Sequence, residues 1–170
     1  NTLIFFASDN GPAGLSTAGQ FRGKKGTLYE GGHRVPAIAY WPGRIKAGVV
    51  SDEKAMTMDL LPTVAALAGV SISEGFLIDG IDLSGHLLEG TPLPDRLLYW
   101  QHNDSLAVRS GDYKLLADRS FEKLELYDLR SDPAESRNLA PERPELAEQL
   151  VTELRAWFEA VTKDVAIRSP

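Results

Sequence analysis

Residues 3–36, LIFFASDNGPAGLSTAGQFRGKKGTLYEGGHRVP, constrain the fold more than any other stretch. Residues 3–7 are apolar without alternation, which is the mark of a strand covered on both faces, as in a parallel sheet. Ser8-Asp9-Asn10-Gly11-Pro12 stops that strand, because no strand interior tolerates such a run. A glycine-rich loop follows, with Arg22, Lys24 and Lys25, and closes in Glu30-Gly31-Gly32-His33-Arg34-Val35-Pro36. A buried strand with Asp-Asn at its carboxyl end and a basic loop after it suits a hard cation and an anionic ester. Open α/β sheets bind ligands at the carboxyl ends of their strands. Residues 37–41, Ala-Ile-Ala-Tyr-Trp, read as a second strand. Two strands make a poor sheet, so the rest is expected from sequence preceding Asn1. The chain alone is then expected to expose apolar surface and to self-associate through it.

Asp9-Asn10-Gly11 also has a plain reading as a turn, since Asn and Gly tolerate positive φ. Their oxygens suit calcium, which takes ~6–8 oxygen ligands, so two ligands leave most of a metal site to other segments. Residues 11–32 form a long loop with little periodicity, and loops beyond ~12–15 residues are usually functional or disordered. Lys24 and Lys25 read either as a solvated pair or as the source of one ammonium that meets an anion. Glu30 and Arg34 read as loop-holding residues, and His33 as structural.

The rest of the chain changes character once. Residues 57–68 predict a helix, capped by Thr57 or Asp59, with Pro62 in its first turn and Gly69 at its end. Met58, Leu61, Ala65 and Ala68 recur at helical spacing and predict a buried stripe. Residues 81–88 hold one short helical turn that carries His86. Pro92-Leu93-Pro94 marks a boundary, which divides the chain into residues 1–91 and 92–170. Beyond it, residues 97–100, 105–109, 113–117 and 125–129 predict an antiparallel meander. Partial alternation in the last two implies one face on a core. His102 falls at a strand end, either as a surface-turn residue or in contact with substrate. Residues 142–162 predict a last helix with Leu146, Leu150, Leu154, Trp157, Phe158 and Val161 on one face. The fold class is α/β: a partial open sheet, then a small α+β subdomain with an antiparallel sheet and a C-terminal helix.

A net charge of −6 argues against a nucleic-acid partner. The basic loop is a local feature on an acidic body, as capture of one small anion requires. There is no cysteine, so neither disulfides nor thiol chemistry is available. No apolar run approaches the ~20 residues of a membrane span, and no membrane partner is expected. No signal peptide is visible. The chain begins at Asn1 and enters a strand at once, which is expected of a piece whose natural N-terminus lies elsewhere.

Six ordered segments resemble the sulfatase family of the alkaline-phosphatase-like superfamily, and within it the arylsulfatases and N-acetylgalactosamine-6-sulfatases. They are SDNGP at 8–12, RGKKGTLYEGGHRVPAIAYWPG at 22–43, TMDLLPTVAALAG at 57–69, IDGIDLSGHLL at 78–88, AVRSGDYKLL at 107–116 and ELYDLRSDPAESRNLA at 125–140. The resemblance implies a partial alkaline-phosphatase-like sheet, with residues 1–91 as the carboxyl-terminal part of a catalytic domain. It implies that Asp9 and Asn10 ligate Ca²⁺, that Lys25 grips the sulfate group and aids its transfer, and that His102 lies near the substrate. Lys24 stands where the family usually has glycine, which leaves open which lysine faces the site. Sulfatases use a formylglycine made from a Cys/Ser-x-Pro/Ala-Ser-Arg motif, and these 170 residues contain none. The expected function is therefore part of a calcium-dependent sulfatase acting on an aryl sulfate or sulfated sugar, without turnover by these residues alone. The family also suggests a periplasmic or secreted protein. A phosphatase or phosphonate hydrolase of the same superfamily, and a non-catalytic binding domain, are the alternatives.

Overall fold

The structure, a computed structural model, describes residues 1–73 and 75–168. In chain order the elements are β1 (Ile4–Ala7), α1 (Glu30–His33), β2 (Ala37–Tyr40), a 3₁₀ turn (Thr57–Asp59) leading into α2 (Leu60–Ala68), and α3 (Ser84–Glu89). Then come β3 (Leu97–His102), β4 (Ser105–Ser110), β5 (Tyr113–Asp118), β6 (Leu124–Asp128) and α4 (Pro144–Arg168). They form two compact units. One holds Asn1–Ala7 with Ala37–Pro94, the other Ser8–Pro36 with Asp95–Pro170. The loop of residues 8–36 thus groups with the carboxyl-terminal half, across the chain-order division at 91/92.

In the first unit β1 and β2 pair antiparallel, from Ile4↔Tyr40 to Ala7↔Ala37. The parallel sheet that the apolar run suggested is corrected to an antiparallel pair, and the apolar surface expected of the chain alone is exposed. Phe6 is 62% and Ile38 59% exposed. A two-stranded ribbon has no further layer to bury its side chains, whatever their apolarity. Helix α2 ends as expected at Gly69, whose φ of 68° provides the left-handed cap. The predicted stripe is not buried. Leu61 is 62% exposed, Met58 and Ala68 are also exposed, and Ala65 is half-buried. The buried residues are polar. Asp59 Oδ2 accepts the Met56 N–H at 2.7 Å and Oδ1 the Ile81 N–H at 2.9 Å. Thr63 Oγ1 donates to Asp59 O at 2.6 Å and accepts from Leu83 N at 2.9 Å. Backbone donors satisfied by a buried carboxylate hold this helix, where helical spacing alone suggested a greasy seam.

In the second unit β3-β4-β5-β6 is the expected antiparallel meander. Its registers run Leu97↔Ser110, Ser105↔Asp118 and Tyr113↔Asp128. Successive side chains alternate faces. Leu106, Val108, Leu115, Ala117 and Leu126 pack on Ala147, Leu150 and Leu154 of α4. Tyr99 stacks on Trp157 at 5.0 Å between ring centroids. The opposite face carries Ala107, Leu116 and Tyr127, packed on Leu28 and Tyr29 of the loop. The expected single core face is corrected to two, since four of the six residues of β5 are fully buried. The basic loop is the second cover.

Leu154 is 0% exposed, and deleting its side chain leaves a cavity under the meander. Leu154→Ala is expected to lower the unfolding free energy by about 2–5 kcal/mol, read as a lower urea midpoint at unchanged m-value.

Candidate functional site

The loop is built as a closed ring of backbone bonds. Gly31 N donates to Arg22 O at 2.8 Å, Gly11 N to Gly32 O at 2.9 Å, and Lys25 N to Pro12 O at 3.0 Å. Thr27 Oγ1 donates to Lys24 O at 2.9 Å and closes the tip. The two glycines of EGGH are demanded by close approach. A Cβ on Gly31 would lie 2.5 Å from Arg22 O, and one on Gly32 would meet Thr27 O. Residues 30–33 of this loop form the short helix α1, which loop-like composition did not predict.

The ring places the expected site residues as follows. Asn10, Gly11, Pro12, Lys25 and Arg34 line one cavity of about 710 Å³. Asn10 and Lys25 therefore share a space. Asp9 is exposed beside Asn10 but does not line the cavity, and neither does Lys24. Lys24 and Lys25 are both exposed, and no salt bridge holds either among the described residues. His102 is also exposed, at the end of β3. Its Nε2 lies 3.8 Å from where a Cβ on Gly26 would stand, so it neighbours the loop tip without lining the cavity. Among the described residues no three His, Asp or Glu side chains converge as metal ligands. Asn10 spends its amide N–H on Gly11 O at 3.0 Å, leaving its oxygen as an acceptor, and Asp9 adds an exposed carboxylate at the adjoining position. These are two hard oxygens of the kind calcium takes.

Beneath the loop lies a buried ionic cluster that spacing did not reveal. Lys114 Nζ is 3.0 Å from Glu30 Oε1, 3.0 Å from Glu135 Oε1 and 3.1 Å from His33 Nε2. Glu30, Lys114 and Glu135 are each 0% exposed. Arg109 and Arg34 each approach Glu30 Oε2 at 3.4 Å. Glu135 Oε2 accepts the Glu30 N–H at 2.6 Å. Arg22 donates to Glu135 O at 2.8 Å and to Tyr127 OH at 3.0 Å, with its guanidinium 3.9 Å over the Tyr29 ring. Burial alone raises the Glu30 carboxyl, but Lys114 and then Arg109 outweigh it and hold Glu30 below the usual carboxylate range. Burial raises Glu135 against the lowering charge of Lys114, and Glu30 adds repulsion. The 3.0 Å contact of Glu135 Oε1 with Lys114 is an ion pair whose angle does not make a hydrogen bond. Burial, then the Lys114 charge, holds His33 down at about 4, so the ring is neutral. It stacks on Trp100 at 4.7 Å. Its Nε2 also lies 3.1 Å from Leu28 O, so that nitrogen serves either Leu28 or Lys114. A signal for this cluster exists in the meander: Arg109 and Lys114 are directly cross-strand and share the parity of Ala107 and Leu116.

Comparison with known proteins bears out the resemblance. A family model described as Sulfatase matches residues 1–70. Arylsulfatase A of Bos taurus is 37% identical over 94% of this chain and 38% of its own length. N-acetylgalactosamine-6-sulfatase of Canis lupus familiaris is 46% identical over 67% of this chain and 23% of its own length. The chain thus spans 38% or less of these relatives. Among solved structures, a Pseudoalteromonas sulfatase superposes with a TM-score of 0.78 at 30% identity, over 96% of this chain and 38% of that one. A protein solved with its substrate D-glucosamine-2-N,6-O-disulfate gives 0.67 at 25% identity, over 99% and 35%.

Because the folded His33 binds fewer protons than its unfolded counterpart between pH 6.5 and about 4, its contribution is complete above pH 6.5. It is lost as pH falls toward 4. Glu30 and Glu135 titrate in both proteins compared, so the difference isolates the imidazole. Over that window wild type is expected to lose up to about 3 kcal/mol more stability than His33→Gln, measured as urea midpoints at pH 7 and pH 4.5.

Proposed function

The chain belongs to the sulfatase family, and on that premise we propose that the protein hydrolyses sulfate esters of the aryl or sugar kind. These residues supply part of its anion pocket. The observation that carries the reading is the shared cavity of Asn10 and Lys25, within the stretch that matches the family model.

Lys25 presents an unpaired ammonium from a ring-closed turn. A compact point charge with three rotatable donors suits the tetrahedral oxygens of a sulfate group. It neutralises charge on those oxygens as the ester bond breaks, and such stabilisation is worth most where donors are fixed beforehand. Asp9 and Asn10 fit calcium as two of its oxygen ligands, the others coming from outside these residues. Arg34 adds positive potential at the cavity wall, with its guanidinium 4.6 Å from the Phe21 ring. His102, beside Gly26, contacts the part of the substrate that leaves. When bound, calcium supplies Lewis-acid polarisation of an ester oxygen, and a formylglycine outside these residues supplies the nucleophile.

In the gene product containing this chain, Lys25→Ala is expected to lower kcat/KM for 4-nitrophenyl sulfate about 10²-fold, and Lys24→Ala by less than about threefold. A larger loss at Lys24 would transfer the role to that residue, and no loss at either would remove the loop from the reaction. Asp9→Ala is expected to weaken calcium binding, measured by calorimetry on the metal-stripped protein; unchanged affinity would remove Asp9 from the ligand set.

A further inference from the structure

Three motif residues have no part in that pocket. Arg109 and Lys114 belong to AVRSGDYKLL, and Glu135 to the segment DPAESRNLA. All three converge on Glu30 or on its backbone. With zero exposure, Lys114 and Glu135 have no access to a ligand. The placement of Lys114 follows from the sheet. Lys114 stands on the face of β5 that the loop covers, directly cross-strand from Arg109 on β4 and Tyr127 on β6.

We propose that Lys114 and Glu135 are positioning residues for Lys25: the buried Glu30–Lys114–Glu135 cluster fixes the base of the turn that presents the Lys25 ammonium. The inference rests on the reading of Lys25 as the sulfate-gripping residue. Glu135 grips the loop at two points. Its carboxylate takes the Glu30 N–H, and its carbonyl takes the Arg22 guanidinium. Arg22 and Glu30 are the two sides of the turn's base, closed by Gly31 N on Arg22 O at 2.8 Å. Residues 23–29 hang from that base, and Lys25 lies within them. Gly32 O then takes the Gly11 N–H, which carries Pro12 to its bond with Lys25 N. One continuous path runs from the ammonium of Lys114 to the backbone of Lys25, and it also fixes Asn10 on the same cavity. Apolar residues of equal volume often match a buried ion set in stability. What such a set supplies here is direction, because each charge has one place to stand.

The test is a double-mutant cycle between Glu135 and Lys25 in the gene product containing this chain, read by calorimetric titration with inorganic sulfate. Glu135→Gln keeps the side-chain shape and an oxygen for the Glu30 N–H but removes the second carboxylate from Lys114. It is expected to weaken sulfate binding about tenfold, Lys25→Ala at least as much, and the double variant no more than about twofold beyond Lys25→Ala alone. Losses that multiply would show Glu135 acting elsewhere and overturn the proposal, as would unchanged affinity in Glu135→Gln beside a weakened Lys25→Ala. Unchanged affinity in Lys25→Ala would instead overturn the reading of the pocket, and the proposal with it. Thermal melts accompany each variant. If Glu135→Gln does not fold, Arg22→Gln, half-exposed at its side chain, cuts the second grip and enters the same cycle with the same expected outcomes.

Discussion

One ammonium shared between two carboxylates, with no water on any of them, is the constraint on which the second unit depends. Moving a carboxylate or an ammonium out of water costs several kcal/mol per ion even after relaxation. The cluster is tolerable because its charges nearly balance. Lys114 Nζ lies 3.0 Å from a Glu30 oxygen, 3.0 Å from a Glu135 oxygen and 3.1 Å from His33 Nε2. Glu30 and Glu135 stand at the same distance from Nζ, yet one carboxyl is lowered and the other raised. The asymmetry is physical. Glu30 also has Arg109 and Arg34 on Oε2, while Glu135 has Lys114 and the repulsion of Glu30. Glu135 is therefore the weakly compensated member, and its second oxygen, bound to the Glu30 N–H at 2.6 Å, does the geometric work.

The meander makes that cluster possible by having two unlike faces. One parity along β4, β5 and β6 is aliphatic and lies on α4. The other carries Ala107, Arg109, Lys114, Leu116, Glu125 and Tyr127 and lies under the loop. Tyr29 OH and Tyr127 OH both donate to Glu125 Oε2, at 2.8 and 2.6 Å, which fastens the far side of the turn as Glu135 fastens its base. Burial and the Glu125 charge both raise Tyr127, so the phenol keeps its proton. The register does the placing, since a slip of one residue on β5 would send Lys114 into the α4 core and Leu115 under the loop.

Much of this was legible from spelling alone. The meander followed from short runs between Asn103-Asp104 and Ser110-Gly111-Asp112, and α4 from its leucine spacing, because both rest on local periodicity. Gly69 and the pairing of residues 37–40 with residues 4–7 were legible for the same reason, and so was the exposure of that ribbon, though not its antiparallel direction. Apolarity records what a segment needs covered, not what covers it. The α2 stripe failed because Asp59 and Thr63 satisfy backbone donors twenty residues downstream, which no helical spacing encodes. Asn10 and Lys25 were read as site residues and do share a cavity, while Asp9 and His102 do not line it. Glu30 was read as holding the loop, but its partners were invisible. They lie 79, 84 and 105 residues away in sequence; strand register brings Arg109 and Lys114 together, and the turn after β6 brings Glu135.

The contrast between the two lysines that matter here explains the division of labour. Lys114 is spent on neighbours in the fold and has nothing left for a ligand. Lys25 has its backbone fixed by Pro12 and its side chain unpaired, so its charge remains available. A flexible four-carbon stem loses rotamer entropy when its ammonium is fixed on an anion, on the order of 2 kcal/mol for a long side chain. If the backbone beneath it were also loose, each ordered residue would add about 1–2 kcal/mol more. Anchoring the turn on the folded protein removes that second cost before any anion arrives. The glycines at 31 and 32 serve the same end. They let the two sides of the turn touch backbone to backbone, so the ring is held by packing and by hydrogen bonds together.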